Sequence, residues 1–135
     1  MRPVTDLDDG SADAAVAAAL AAASGLGIAV SVAVVDQAGR LKRFARMDGG
    51  EIAGVTLAPD KAFSAVANSC DTDELARQAA GDLRGIEQSF TIVAGGVVIT
   101  DHDGSVTGAV GVSGGSADQD RDCARAGALA ATRAG

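Results

Sequence analysis

A chain with 3 Phe, no Trp and no Tyr in 135 residues has almost no bulky side chains with which to fill a core. Hydrophobic residues still make up 47% of it, so a core is available, but Ala, Val and Gly must build it. Small side chains exclude water only where the backbones that carry them come close. Helices and strands are therefore expected to approach one another tightly. The length corresponds to one domain, and a small domain with few large anchors gains by burying further surface against copies of itself.

Charge and segment lengths exclude some partners. The net charge is −7, and an acidic surface repels phosphate backbones, so no nucleic-acid partner is expected. The Ala-rich run over residues 12–23 is too short, and too poor in large apolar residues, for a membrane span or a signal segment, so no membrane partner is expected either. Cys70 and Cys123 have no metal-ligand spacing, and no HxxxH, CxxC or carboxylate cluster suggests a metal site. Both cysteines are expected as unpaired thiols of a cytoplasmic protein.

Periodicity gives the elements in order. Thr5 or Ser11 is expected to cap a first helix that runs through Val16 and Leu20, its large apolar anchors, to a stop at Gly25. Residues 28–35 are a β-branched strand, Asp36-Gln37-Ala38-Gly39 a turn, and residues 41–47 an alternating strand that completes a hairpin. Asp48-Gly49-Gly50 breaks it. A helix follows, ending near Cys70, with Ala62, Ala65, Val66 and Ser69 on one face. Pro59 either occupies the first turn of a helix starting near Ala58 or kinks a longer one. Asp71 to Glu74 open a short helix ending near Gly81. Strands over residues 90–93, 96–100 and 105–112 come next, with a turn at Asp101-His102-Asp103-Gly104. Ser116 and Gln119 form a capping box for a last helix, along which Cys123, Gly127 and Ala131 make a stripe of small residues. Strands joined by short turns predict an α/β (α+β) domain with an antiparallel sheet and helices packed against it.

Two constellations can carry chemistry. Arg46 and Asp48 close a strand and Lys61 lies early in the next helix, so a short loop would bring the three together. Arg offers a planar fork to a carboxylate, Lys a cation or a base, and Asp48 an orienting group or proton acceptor. The alternative is a solvated ion pair. The second constellation is the Gly-rich connection through Ser113, Gly114 and Gly115 into a helix carrying Asp120. Amides at a helix start attract anions, but Asp118 and Asp120 oppose a bare phosphate, and the P-loop Lys is missing. The alternative is a plain tight turn. His102, the single histidine, sits in an acidic turn and is expected to be exposed and idle.

Val34-Val35-Asp36 with Gly39, Arg46-Met47-Asp48-Gly49 leading to Lys61-Ala62, and residues 108–115 followed by Asp120 together resemble the haem-degrading GlcG/HbpS-like family. That family includes the C-terminal domain of PduO-type corrinoid adenosyltransferases. The resemblance covers residues 20–130 and implies one domain, residues 1–135, with a profilin-like or PAS-like antiparallel sheet. It implies haem as cofactor, a homo-oligomer from dimer to octamer, and a site at Arg46, Asp48, Lys61, Gly114 and Asp120, with Ser113 and Gly115 of the Gly-rich connection as further candidate ligand-binding residues beside Arg46 and Lys61. Residue types alone leave two other functions open. One is a cofactor-free isomerase, tautomerase or lyase using Lys61, Asp48 and Arg46 on a small carbonyl or carboxylate compound. The other is a non-catalytic sensor or assembly module. Apolar slot residues around Lys61 would favour haem, and a compact polar pocket would favour the small substrate. The sequence departs from the family where Val97 and Val98 follow Gly95-Gly96, at Asn68-Ser69-Cys70-Asp71, and at Pro59.

Overall fold

The first helix is held at both ends by local chemistry. In the computed structural model, which describes residues 6–79 and 93–135, α1 (Asp9–Leu26) starts where the Asp8 carboxylate accepts the Ser11 amide at 2.7 Å. It stops where Gly27 turns left-handed at φ 71°. The cap is thus Asp8. Ser11 is buried in the first turn, and Thr5 lies outside the described residues. The stop likewise falls at Gly27 rather than Gly25. Val16 and Leu20 are only partly buried; Ala12, Ala15, Ala19 and Ala23 form the closed face instead. Alanine wins this face because α4 (Ala117–Ala134) lies so near that a Cβ on Gly127 would stand 2.8 Å from the Ala15 carbonyl oxygen.

Strands β1 (Ser31–Asp36) and β2 (Leu41–Arg46) form the expected hairpin. Asp36 builds its turn by accepting the amides of Ala38 and Arg40, both at 3.0 Å. Strands β3 (Gly96–Thr100) and β4 (Val106–Ser113) form a second hairpin, where the Asp101 carboxylate accepts the amides of Asp103 and Ser105. The sheet runs β2-β1-β4-β3 and every pair is antiparallel. This is an α+β fold, as the strand order and short turns predict. The strand expected over residues 90–93 lies almost wholly outside the described residues, as does the expected helix end at Gly81.

Helices cover both faces of the sheet. Val32, Val34, Val110, Val112, Val97 and Ile99 pack toward α1 and α4. On the other face Val35 and Ala109 meet Ala62, Ala65 and Val66 of α2 (Ile52–Asn68). Pro59 lies inside this helix, which starts well before Ala58. Ser69 ends it as an exposed left-handed cap and is not on the inner face. The short α3 (Thr72–Ala79) follows, and its Thr72 hydroxyl donates to the Val93 carbonyl and accepts the Gly96 amide. The Ser116–Gln119 capping box forms with both bonds present.

The chain meets its need for close approach most directly under α2. A Cβ on Gly111 would stand 1.9 Å from the Ala58 carbonyl oxygen, and one on Gly96 2.3 Å from that of Lys61. Backbone rests on backbone, so the helix sits at a height that no larger residue allows.

Candidate functional site

Lys61 projects from the inner face of α2 and is 3% exposed. It lies midway along that helix rather than early in it. Its stem crosses Gly95, where an added Cβ would meet Nζ at 2.9 Å. Beyond that point Nζ donates to the Val112 carbonyl at 2.9 Å and to Asp120 Oδ2 at 3.2 Å. The other oxygen of Asp120 accepts the Gly115 amide at 2.8 Å. The Gly-rich connection through Ser113, Gly114 and Gly115 is therefore filled by a carboxylate of the chain's own. Lys61, Asp120 and that connection form one closed unit, which pins α2 to the junction of β4 and α4.

Arg46 and Asp48 do not join it. Arg46 is exposed at the end of β2, with Nη1 donating to the Gly50 carbonyl at 3.4 Å, and Asp48 is exposed in the turn that follows. Strand β1 stands between β2 and β4, so about 10 Å of sheet separates the two groups. In place of the expected Arg46–Asp48–Lys61 cluster there is a buried Lys61–Asp120 pair, with Arg46 and Asp48 exposed apart from it. A link across 59 residues has no local signal, although the motifs that carry the family resemblance include both partners.

A feature the sequence reading missed lies beside Arg46. Arg46, Phe44 and Leu41 pair with Ser31, Ala33 and Val35, on the face of the sheet that α2 covers. The helix packs mainly over β1, β4 and β3, and among the described residues little covers this face of β2. Phe44 and Leu41 are consequently exposed, as are Ile52, Val55 and Phe63 along α2. The Phe63 ring stands over the β1–β2 turn, where it would touch a Cβ on Gly39. Two of the chain's three Phe residues thus lie on this open surface, and Arg46 ends it. Spacing along α2 carried the signal, since residues 52, 55, 59 and 63 fall on one helical side.

His102 lies in the β3–β4 turn, at the edge of the sheet opposite β2. It is exposed, with Nε2 3.2 Å from the Gly135 carbonyl oxygen. It borders a cleft of about 140 Å³ that includes Leu7, Ile99, Thr107 and Ala131. Ligand pockets begin near ~300 Å³, so this cleft is small. Cys70 and Cys123 are both free thiols, and burial pushes both thiol pKa values up. Among the described residues no group of three His, Cys, Asp or Glu is placed to hold a metal ion, and no helix is long and apolar enough to cross a membrane.

An antiparallel sheet covered by helices on both faces, with a buried Lys–Asp pair at a Gly-rich strand-to-helix junction, defines a class of small α+β proteins. The family model described as "Haem degrading protein HbpS-like" matches residues 7–129, and the chain belongs to that family. It is 37% identical over 109 residues to the corrinoid adenosyltransferase PduO of Salmonella typhimurium, covering 77% of this chain and 32% of that one. The chain thus spans about a third of the length of the first curated relatives it matches. Among solved structures, a PduOC:heme complex aligns with a TM-score of 0.85 and 31% identity, over 93% of this chain and 95% of that one. A double mutant of HbpS from Streptomyces reticuli aligns with a TM-score of 0.85 and 37% identity, over 96% of this chain and 89% of that one.

Proposed function

We propose that this chain binds haem on the open apolar surface between α2 and β2, with Arg46 facing a propionate. The observation that carries the proposal is the exposure of Phe44, Leu41, Val55 and Phe63 beside an exposed arginine. A flat macrocycle needs apolar contact for its faces and a cation for its carboxylates. A chain so poor in large side chains has placed several of those it has on one surface, where they contribute little to its own core. The family supports the same ligand. Lys61 and Asp120 act from behind, since each charge is spent on the other and the amine is not free for a carbonyl substrate.

The same apolar surface and the tight, small-residue core suit a homo-oligomer, and two free thiols suit the cytoplasm. His102 sits at the edge of the sheet opposite β2, against the end of α4, and so is not placed to be the axial ligand. Titration with haemin should produce a shifted Soret band. Phe44→Glu and Phe63→Glu should each weaken binding about tenfold or more, the scale of losing a buried aromatic contact, and His102→Ala should leave the spectrum unchanged. Absence of a Soret shift, or full retention of affinity in both Phe variants, refutes the proposal.

A further inference from the structure

The start of α2 is chemically incomplete. Glu51 stands at its N-cap without a side-chain hydrogen bond to the helix, and the first turn carries no acidic residue. The amides of Ile52 and Ala53 have no carbonyl within the helix to bond. Ile52 is 89% exposed, so the turn they belong to faces solvent. Beneath that turn lies Ser31, 1% exposed, whose hydroxyl has no hydrogen-bond partner among the described residues. It points at the third residue of the helix: a Cβ on Gly54 would stand 3.0 Å from Ser31 Oγ. Arg46, the cross-strand neighbour of Ser31, folds over Gly50 immediately before the cap. Among the described residues, two helix-start amides, one orphaned hydroxyl beneath them and one guanidinium thus lie at one helix start, and no carboxylate is bonded to any of them.

We infer that the N-terminal turn of α2, with Ser31 and Arg46, is a carboxylate-binding subsite. The inference rests on the reading of a ligand held beside Arg46, and it deepens that reading by naming the group that is recognised. A helix start with unbonded amides favours an anion, and the guanidinium fork matches a carboxylate in the same plane. Asp48 and Glu51 lie close by and are exposed, so the local field tolerates a single negative charge better than the double charge of a phosphate. Beneath the same turn the Ser31 hydroxyl adds a donor that no described residue satisfies.

A haem propionate and a small free carboxylate share this chemistry, and the test separates them. Haemin and haemin dimethyl ester are titrated against the parent chain, Arg46→Gln, Ser31→Ala and the control Arg133→Gln, whose exposed arginine lies at the far end of α4. In parallel, sodium butyrate is added to 15N-labelled protein, with sodium chloride as the salt control. Expected are butyrate-specific shifts of the Ile52 and Ala53 amides. Haemin affinity should fall about tenfold in Arg46→Gln, with a smaller loss in Ser31→Ala and none in Arg133→Gln, and the diester should bind the parent as weakly as haemin binds Arg46→Gln. Ser31→Ala removes a buried unsatisfied group, so it should fold. Haemin and diester binding equally well to all four proteins, with no amide shift, overturns the subsite and leaves haem binding standing. Butyrate shifts without haemin binding sink the haem reading while supporting the subsite, with a free carboxylate as its ligand. Neither haemin binding nor butyrate shifts removes both.

Discussion

Lys61 and Asp120 bury opposite charges 3.2 Å apart, each almost wholly out of water. Such a pair adds little net stability over an apolar replacement, but removing one partner strands the other charge. Lys61→Met leaves the Asp120 carboxylate with the Gly115 amide alone, so it should cost about 3–5 kcal/mol by urea unfolding. Adding Asp120→Asn should recover part of the loss; a cost below about 1 kcal/mol for the single variant would make the pair no better than a surface one. Asp71 gives the pH-dependent counterpart. Burial holds its carboxyl above the ordinary range, against the Val98 amide that it accepts. The native chain therefore binds this proton more readily than the unfolded one, and stability falls as pH rises from the ordinary carboxylate value through the raised one. Asp71→Asn keeps the acceptor and removes the charge. Its stability relative to the parent should improve from about pH 4 to about pH 7, and a constant difference would refute the assignment.

At the scale of elements, the height of α2 above the sheet is set by Gly111 and Gly96. Gly111→Ala places a methyl group 1.9 Å from the Ala58 carbonyl oxygen, so the helix must lift. A loss of about 3 kcal/mol or more is expected, in the range of severe overpacking. Gly25→Ala, in α1 with nothing within 4 Å of the new methyl, should instead gain up to about 1 kcal/mol. Calorimetry on the two variants separates close approach from the general cost of glycine; equal shifts in one direction would contradict the packing described. The elements were legible where their cause is local: the Asp36 and Asp101 turns, the Ser116 capping box, the β-branched strands. The cap of α1 was misplaced because Asp8 and Ser11 both suit an N-cap, and only the fold shows which one is buried. Pro59 obscured the start of α2, since its penalty is local whereas the packing of Gly54, Ala58 and Ala62 against the sheet is not.

For the whole molecule, antiparallel order followed from short connections, but the partner of Lys61 did not. Spacing brought Arg46, Asp48 and Lys61 within a short loop of one another, whereas the sheet order β2-β1-β4-β3 carries them apart. The apolar surface of β2 and α2 was equally hidden, because a stripe of Ile52, Val55 and Phe63 looks like core until the sheet is seen to lie on the other side. That surface, on a chain whose own interior is built from small residues, leads to a prediction about assembly. Light scattering at micromolar concentration should return a multiple of the 13.2 kDa chain, and a mass of one chain would remove the expectation of an oligomer.

The alanine and glycine contacts that join α1 to α4 and α2 to the sheet have a further consequence, in rotamer entropy. Ordering an Ala or Gly side chain costs nothing, against about 1.5–2 kcal/mol for a long flexible one, and the Val side chains between them are stiff at χ1, so this interior forms with little side-chain freedom to surrender. Once formed it has almost none left to fluctuate in. Side-chain motion on the nanosecond scale must therefore gather at the groups outside the core, Leu41 and Phe44 among them. Methyl and ring relaxation should show a quiet centre and a mobile rim, and the mobile part of that rim is the surface on which a ligand would settle.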